Sequence, residues 1–140
     1  MKCKTRDFGE LELGENDIII FGQPPFGFED YTQYTLIQDP DVGAHIAWLQ
    51  SVQEAAVCFI LFDPTELGSF YKPQLTAQQD AMLGEGELEC WVIGVVPEDF
   101  RKTTVNLKSP VIINNYTRRG AQIILEQDYP VRYPLMQKEG

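Results

Sequence analysis

Several things are scarce in this 140-residue chain, and each scarcity closes off a class of function. There is one histidine, His45. A catalytic triad or a histidine-rich metal site would need partners that the rest of the chain does not supply. The three cysteines, Cys3, Cys58 and Cys90, are far apart, odd in number and without C-x-x-C spacing. Neither a disulfide framework nor a zinc site is indicated, and reduced thiols in a cytoplasm are the expectation. No run of 18 apolar residues exists, so no membrane-spanning helix is expected. The basic start, Met1-Lys-Cys-Lys-Thr-Arg-Asp7, has no apolar stretch behind it and does not read as a secretory signal. Internal repeats, linkers and low-complexity tracts are absent.

Positive charge is also scarce, and unevenly so. The net charge is −10, yet most Lys and Arg lie beyond residue 100. An acidic surface repels phosphate backbones and so argues against general nucleic-acid binding. It favours fast, salt-sensitive encounter with basic partners, unless the acidity serves solubility alone.

What is present suits a packed globule: 44% hydrophobic residues, with eight Phe, six Tyr and two Trp. A chain of this length buries enough surface to fold as one domain, expected here over residues 1–140, without a disulfide or metal. Short strands bounded by turn residues dominate. Lys2–Arg6 and Leu11–Leu13 read as a hairpin around Asp7-Phe8-Gly9. Ile18–Phe21 runs into the loop Gly22-Gln-Pro-Pro-Phe-Gly27, after which Glu29-Asp30-Tyr31 reads as a single helical turn. Thr35–Gln38 and Ile46–Gln50 read as strands around Asp39–Gly43. The continuous apolar stretch Ala55–Phe62 reads as a central strand covered on both faces, stopped by Asp63-Pro64. Thr76-Ala-Gln-Gln79 has capping-box spacing and predicts a helix over Thr76–Leu83, ended by Gly84. Leu88–Val96, Thr103–Leu107, Val111–Asn114 and Ala121–Leu125 complete about nine strands. The expected fold is all-β: a small antiparallel β-barrel-like domain, a partly open barrel or sandwich, with one or two short helices. The strands are too closely spaced for βαβ crossovers.

Candidate chemistry is thin. Glu87 and Glu89 alternate onto one strand face, which suits a solvated acidic face better than an acid–base pair. Cys58 reads as a small buried hydrophobe, while Cys3 and Cys90 could be exposed. Lys102, Lys108, Arg118, Arg119 and Arg132 form the basic set. They read either as a patch for a carboxylate-bearing partner or as protection of strand edges against aggregation. Phe21, Phe26 and Phe28 surround a loop that could anchor a protein partner or staple the core beneath it. Continuous apolar strands also leave open a barrel that binds a small ligand.

An ordered set of short motifs narrows this. Thr5-Arg-Asp-Phe-Gly-Glu10, Ile18-Ile-Ile-Phe21 and Gly27-Phe-Glu29 come first. Trp48-Leu-Gln-Ser51, Phe62-Asp-Pro64 and Val96-Pro-Glu-Asp99 follow, and then Thr104-Val-Asn-Leu-Lys-Ser-Pro-Val-Ile-Ile-Asn114, Gly120–Leu125 and Tyr129-Pro-Val-Arg132. In that order they resemble the flagellar assembly factor FliW family over nearly the whole chain. The resemblance implies a cytoplasmic regulator, not an enzyme, with no cofactor or metal. It implies two protein partners: CsrA, an RNA-binding translational repressor, and flagellin. Flagellin would occupy the protein until exported, freeing it to bind CsrA and relieve repression of flagellin synthesis. The contact residues expected on this basis are Phe26, Gly27, Phe28 and Glu29 in the loop, Tyr71 and Lys72, Glu98 and Asp99, Asn106 and Arg132. The chain departs from the family pattern in two places. Pro24-Pro25-Phe26 stands where many members carry Gly-Leu-Pro or Gly-Ile-Pro, and Lys72 stands where they often carry an acid.

Overall fold

The computed structural model describes residues 1–136. The longest strand organises it. β7 (Leu88–Val95) is preceded in chain order by β1 (Lys2–Lys4), β2 (Glu10–Glu12), β3 (Ile19–Gln23), β4 (Gln33–Ile37), β5 (Ile46–Ser51) and β6 (Cys58–Phe62). Helix α1 (Ala77–Leu83) lies between β6 and β7. After β7 come β8 (Thr104–Val105), β9 (Val111–Asn114), β10 (Arg119–Gln122) and β11 (Tyr133–Pro134). Eight residues give β7 room for two partners in succession. Leu88–Trp91 pair with β9 and Gly94–Val95 with β8, while Val92–Gly94 pair with β6. The β7–β9 pairing closes the ring β7-β6-β5-β4-β3-β10-β9 into a seven-strand barrel. Strands β8 and β11 extend beyond it, and β1–β2 form a separate hairpin.

Alternation of side chains then sorts residues to the two faces of the wall. On β9, Val111 and Ile113 enter the barrel interior, whereas Ile112 joins an outer cluster. On β7, Trp91 points in and Val92 out. Ile19, Phe21, Tyr34, Ala47, Leu49, Val57 and Leu61 complete the interior. Among the described residues these side chains pack into one buried cluster, the usual filling of a small barrel. The Tyr34 hydroxyl in this interior has no hydrogen-bond partner, and burial pushes its pKa up to about 12.

The outer cluster lies under chain that carries little sheet. Leu67, Tyr71, Leu75, Leu83, Leu125 and Tyr133 cover Phe62, Val92 and Ile112. This covering explains why β6, β7 and β9 read as continuous apolar runs. Elsewhere the N-terminal hairpin does the covering: Phe8 packs edge-on against Trp48 at 4.9 Å, and the Arg6 N–H donates to Gln50 Oε1 at 2.9 Å. Helix α1 starts as its spacing predicts, with the Thr76 hydroxyl and Gln79 side chain satisfying each other's backbone N–H.

Several expectations need correction. Among the described residues there are eleven strands, not nine. β10 runs parallel to β3, so the sheet is not wholly antiparallel. The ladder of β10 begins at Arg119 and ends at Gln122, because the strand follows directly from the hairpin turn. Glu29–Tyr31 is a turn and not a helical one. Cys3 is buried, because the first hairpin folds back on the barrel. Short 3-10 helices at Glu15–Asp17, Pro64–Leu67 and Phe100–Lys102 carry no periodicity long enough to see in sequence.

Candidate functional site

Among the described residues, no group of three or more His, Cys, Asp or Glu could hold a metal ion, and no helix is long and apolar enough to cross a membrane. The titratable groups with the largest perturbations lie inside the fold. Burial pushes the Cys58 thiol up to about 11 and the Cys90 thiol to about 12, so both stay protonated and unreactive at neutral pH. His45 sits on the surface with its Nδ1 3.1 Å from Glu66 Oε1.

The recesses on the surface are more informative. One cleft of about 260 Å³ is lined by Phe26 and Pro25 from the loop, Asn106 from the turn after β8, and Val131 and Arg132 from the segment before β11. Phe59, Ile93, Val95 and Gln122 complete its lining. Three of the residues expected on sequence grounds, Phe26, Asn106 and Arg132, thus come from points 80 and 26 positions apart to line one recess. Around it Phe26 is 47%, Val131 59% and Val95 68% exposed. Large apolar groups so exposed and adjacent mark an interaction surface more often than chance.

The cleft is rigidly built. Gln122 is buried on β10, and its Oε1 accepts from the Phe26 N–H at 2.8 Å while its Nε2 donates to the Ser109 carbonyl at 3.1 Å. One side chain thereby ties the loop to the turn before β9. Asn106 is fixed likewise: its N–H donates to the Ile93 carbonyl and its Oδ1 accepts from the Ser109 N–H at 3.0 Å. Gly27 follows Phe26 at φ +87°, a left-handed conformation that glycine adopts without strain. The next residue, Phe28, packs edge-on against Phe59 at 5.0 Å. Glu29 accepts from the Gly27 N–H at 3.1 Å and faces a neighbouring recess with Gln79 and Ile124. Arg132 makes no hydrogen bond or ion pair among the described residues and leaves its guanidinium available at the rim.

The other expected residues lie elsewhere. Tyr71 is only 8% exposed, its hydroxyl donates to the Leu107 carbonyl at 2.8 Å, and its ring packs on Tyr129 at 4.7 Å. It holds the covering chain to the barrel and borders a different recess with Lys72, Pro73 and Trp91. The Lys72 backbone is fixed by Tyr129 and Gln127, with its side chain exposed. Asp99 caps the Phe100–Lys102 helix, and its hydrogen bonds from Arg101 hold its carboxyl below the usual range. Glu98 is exposed beside it. The basic set disperses: Arg132 is at the cleft, Lys108 donates to the Gln127 carbonyl at 2.7 Å, and Arg118 and Arg119 share a third recess. Sequence reasoning missed Val95, Phe59 and Gln122. Val95 had a signal, since it alternates onto the face of Ile93; the other two depend on barrel closure.

Fold and cleft together define a class: a small closed β-barrel with a packed hydrophobic interior and an apolar cleft lined by loop and strand residues. Comparison makes that class specific. The model of the family described as FliW protein matches residues 2–135. The flagellar assembly factor FliW of Ruminiclostridium cellulolyticum is 35% identical over 140 residues, covering 97% of this chain and 95% of that protein. That of Lachnoclostridium phytofermentans is 35% identical over 144 residues, covering 99% and 92%. A solved structure described as the crystal structure of the flagellar assembly factor FliW superposes with a TM-score of 0.91 at 30% identity, over 100% of both chains. The chain belongs to the FliW family of flagellar assembly factors.

Proposed function

We propose that this protein is a partner switch that binds and antagonises CsrA and also binds flagellin, coupling flagellin synthesis to export. The observation that carries the reading beyond family membership is the convergence of Phe26, Asn106 and Arg132 on one apolar cleft. Exposed aromatic and arginine side chains around a pocket make effective anchors for a protein partner. The cluster of buried side chains inside the barrel weighs against the alternative, a small-ligand-binding barrel, because side chains occupy space that a ligand would need. The acidic surface adds long-range attraction for a basic RNA-binding protein.

Calorimetric titration of CsrA and of flagellin from the same organism into the intact protein tests this. Micromolar or tighter binding of both is expected, with flagellin present first reducing the CsrA signal. No heat and no co-elution for either partner at low salt would sink it. Glu98→Lys is expected to slow CsrA association more than it speeds release, as rim charges act on encounter. Glu98 is cleaner than Asp99 for this purpose, because Asp99 also caps a helix.

A further inference from the structure

A second recess, separate from the Phe26 cleft, has a different chemistry. It encloses about 670 Å³ and is lined by the apolar side chains of Ile18, Ile20 and Met82 and by Gly22 and Gly120. Arg118, Arg119 and Glu15 line it as well. Ile20 is half exposed although its strand neighbours Ile19 and Phe21 are buried. Neither arginine has a carboxylate within 4.0 Å among the described residues, in a protein whose net charge is −10. Arg118 spends its Nη1 on Asn115 Oδ1 at 3.0 Å, but its Nε is buried without a partner. Arg119 reaches only the Met82 carbonyl, at 3.5 Å.

The backbone that presents these arginines is itself strained. Arg118 lies at φ 58°, the one left-handed non-glycine among the described residues. That conformation is held from both sides: its N–H donates to the Asn114 carbonyl and its carbonyl accepts from the Ile20 N–H, each at 2.9 Å. A glycine would adopt the turn with less strain, so the residue is there at a conformational cost. Tyr116, at the tip of the same turn, is 85% exposed. Arginine beside apolar side chains is a composition enriched where proteins bind proteins.

We propose that this groove is a second docking surface, and that its occupant is a partner segment carrying aliphatic side chains flanked by carboxylates. Leucine or isoleucine side chains of the segment lie on Ile18, Ile20 and Met82. Its carboxylates accept hydrogen bonds from Arg118 and Arg119, whose planar guanidinium groups can donate two at once. Glu15, which also lines the groove, repels the segment's carboxylates and so favours their placement at the arginines. The preference for an acidic segment is the reverse of what the protein's net charge favours elsewhere. The proposal does not depend on which partner fills the Phe26 cleft.

The test is an NMR amide titration of the full chain with a synthetic twelve-residue peptide in which pairs of leucine and pairs of glutamate alternate. A peptide with lysine for glutamate serves as the control. Shifts are expected at Ile18, Ile20, Gly22, Met82 and residues 117–120, with the lysine peptide inert. Reversing both cations, Arg118→Glu with Arg119→Glu, is expected to weaken binding by about tenfold, a usual loss for a specific charge contact. Should that variant misfold, Ile20→Gln removes an apolar side chain from the lining while leaving both cations, and it too is expected to weaken binding several-fold. The proposal is overturned if the glutamate peptide shifts nothing, if its shifts map to Phe26 and Val131, or if the lysine peptide binds equally well. Since neither CsrA nor flagellin is used, failure here leaves the partner-switch reading standing, and loss of that reading leaves this result intact.

Discussion

Strand β9 and the Gly27-Phe-Glu29 end of the Pro24–Glu29 loop both belong to the motif set by which the family is recognised, yet their burial differs. Val111–Asn114 are all buried, with Val111 and Ile113 inside the barrel and Ile112 outside it. The loop instead exposes Phe26 and Phe28 and uses buried Pro25 and Gln122 to hold them out. A diagnostic motif can therefore be buried in the wall or exposed at the surface, where it is free to make the proposed contact. Substitutions should accordingly divide: stability falls most where β9 is touched, and binding falls most where the loop is touched.

The largest stability effect is expected at β9. Ile113→Ala removes a fully buried side chain from the barrel interior and should cost about 2–5 kcal/mol in urea unfolding. A loss near zero would mean that the seam between β7 and β9 is not the closure of the barrel. Gln122→Ala touches both regions, since it strips a partner from the Phe26 N–H and the Ser109 carbonyl. About 1–3 kcal/mol of stability should be lost, together with faster amide exchange at Phe26. Thr76→Ala removes one half of the capping box of α1, far from either region, and should cost about 1 kcal/mol without altering CsrA binding. Phe26→Ala, at the exposed end of the comparison, should change the unfolding midpoint by no more than about 0.5 kcal/mol.

Alkaline unfolding sharpens the comparison from the interior side. Cys58 and Cys90 have folded-state values raised to about 11 and about 12 by burial, above the value of 9.0 for a free thiol. The stability that comes from burying them neutral is complete below pH 9 and is lost as pH rises toward their folded values. A thiol reagent at neutral pH should react slowly until the chain is unfolded. Fast reaction in the native protein would show that the wall around Cys90 opens.

How much of this was legible in sequence depended on the range of the interactions involved. β6 and β7 were visible as continuous apolar runs because both of their faces are covered. Helix α1 was visible because Thr76 and Gln79 are local partners. The parallel pairing of β10 with β3 was not, since it joins Gly120 to Phe21 across most of the chain. Nor was the reason for a glycine at 120: an added Cβ there would lie 2.7 Å from the Phe21 ring, a clash known only once those strands meet. Asn106 and Arg132 lie in the family's motifs and Phe26 in the loop where the chain departs from them, but their shared cleft is a product of barrel closure. The basic residues of the last third looked alike in sequence, and the fold gave them separate neighbours.

The central claim is that the Phe26 cleft meets a partner while β9 only builds the barrel that carries it. The most direct measurement is the dissociation constant of CsrA, and of flagellin, for the double variant Phe26→Ala with Arg132→Ala. The account predicts at least about a tenfold loss for one partner or both, with an unfolding midpoint like that of the unaltered protein. Unchanged affinity for both partners in a folded double variant would contradict it.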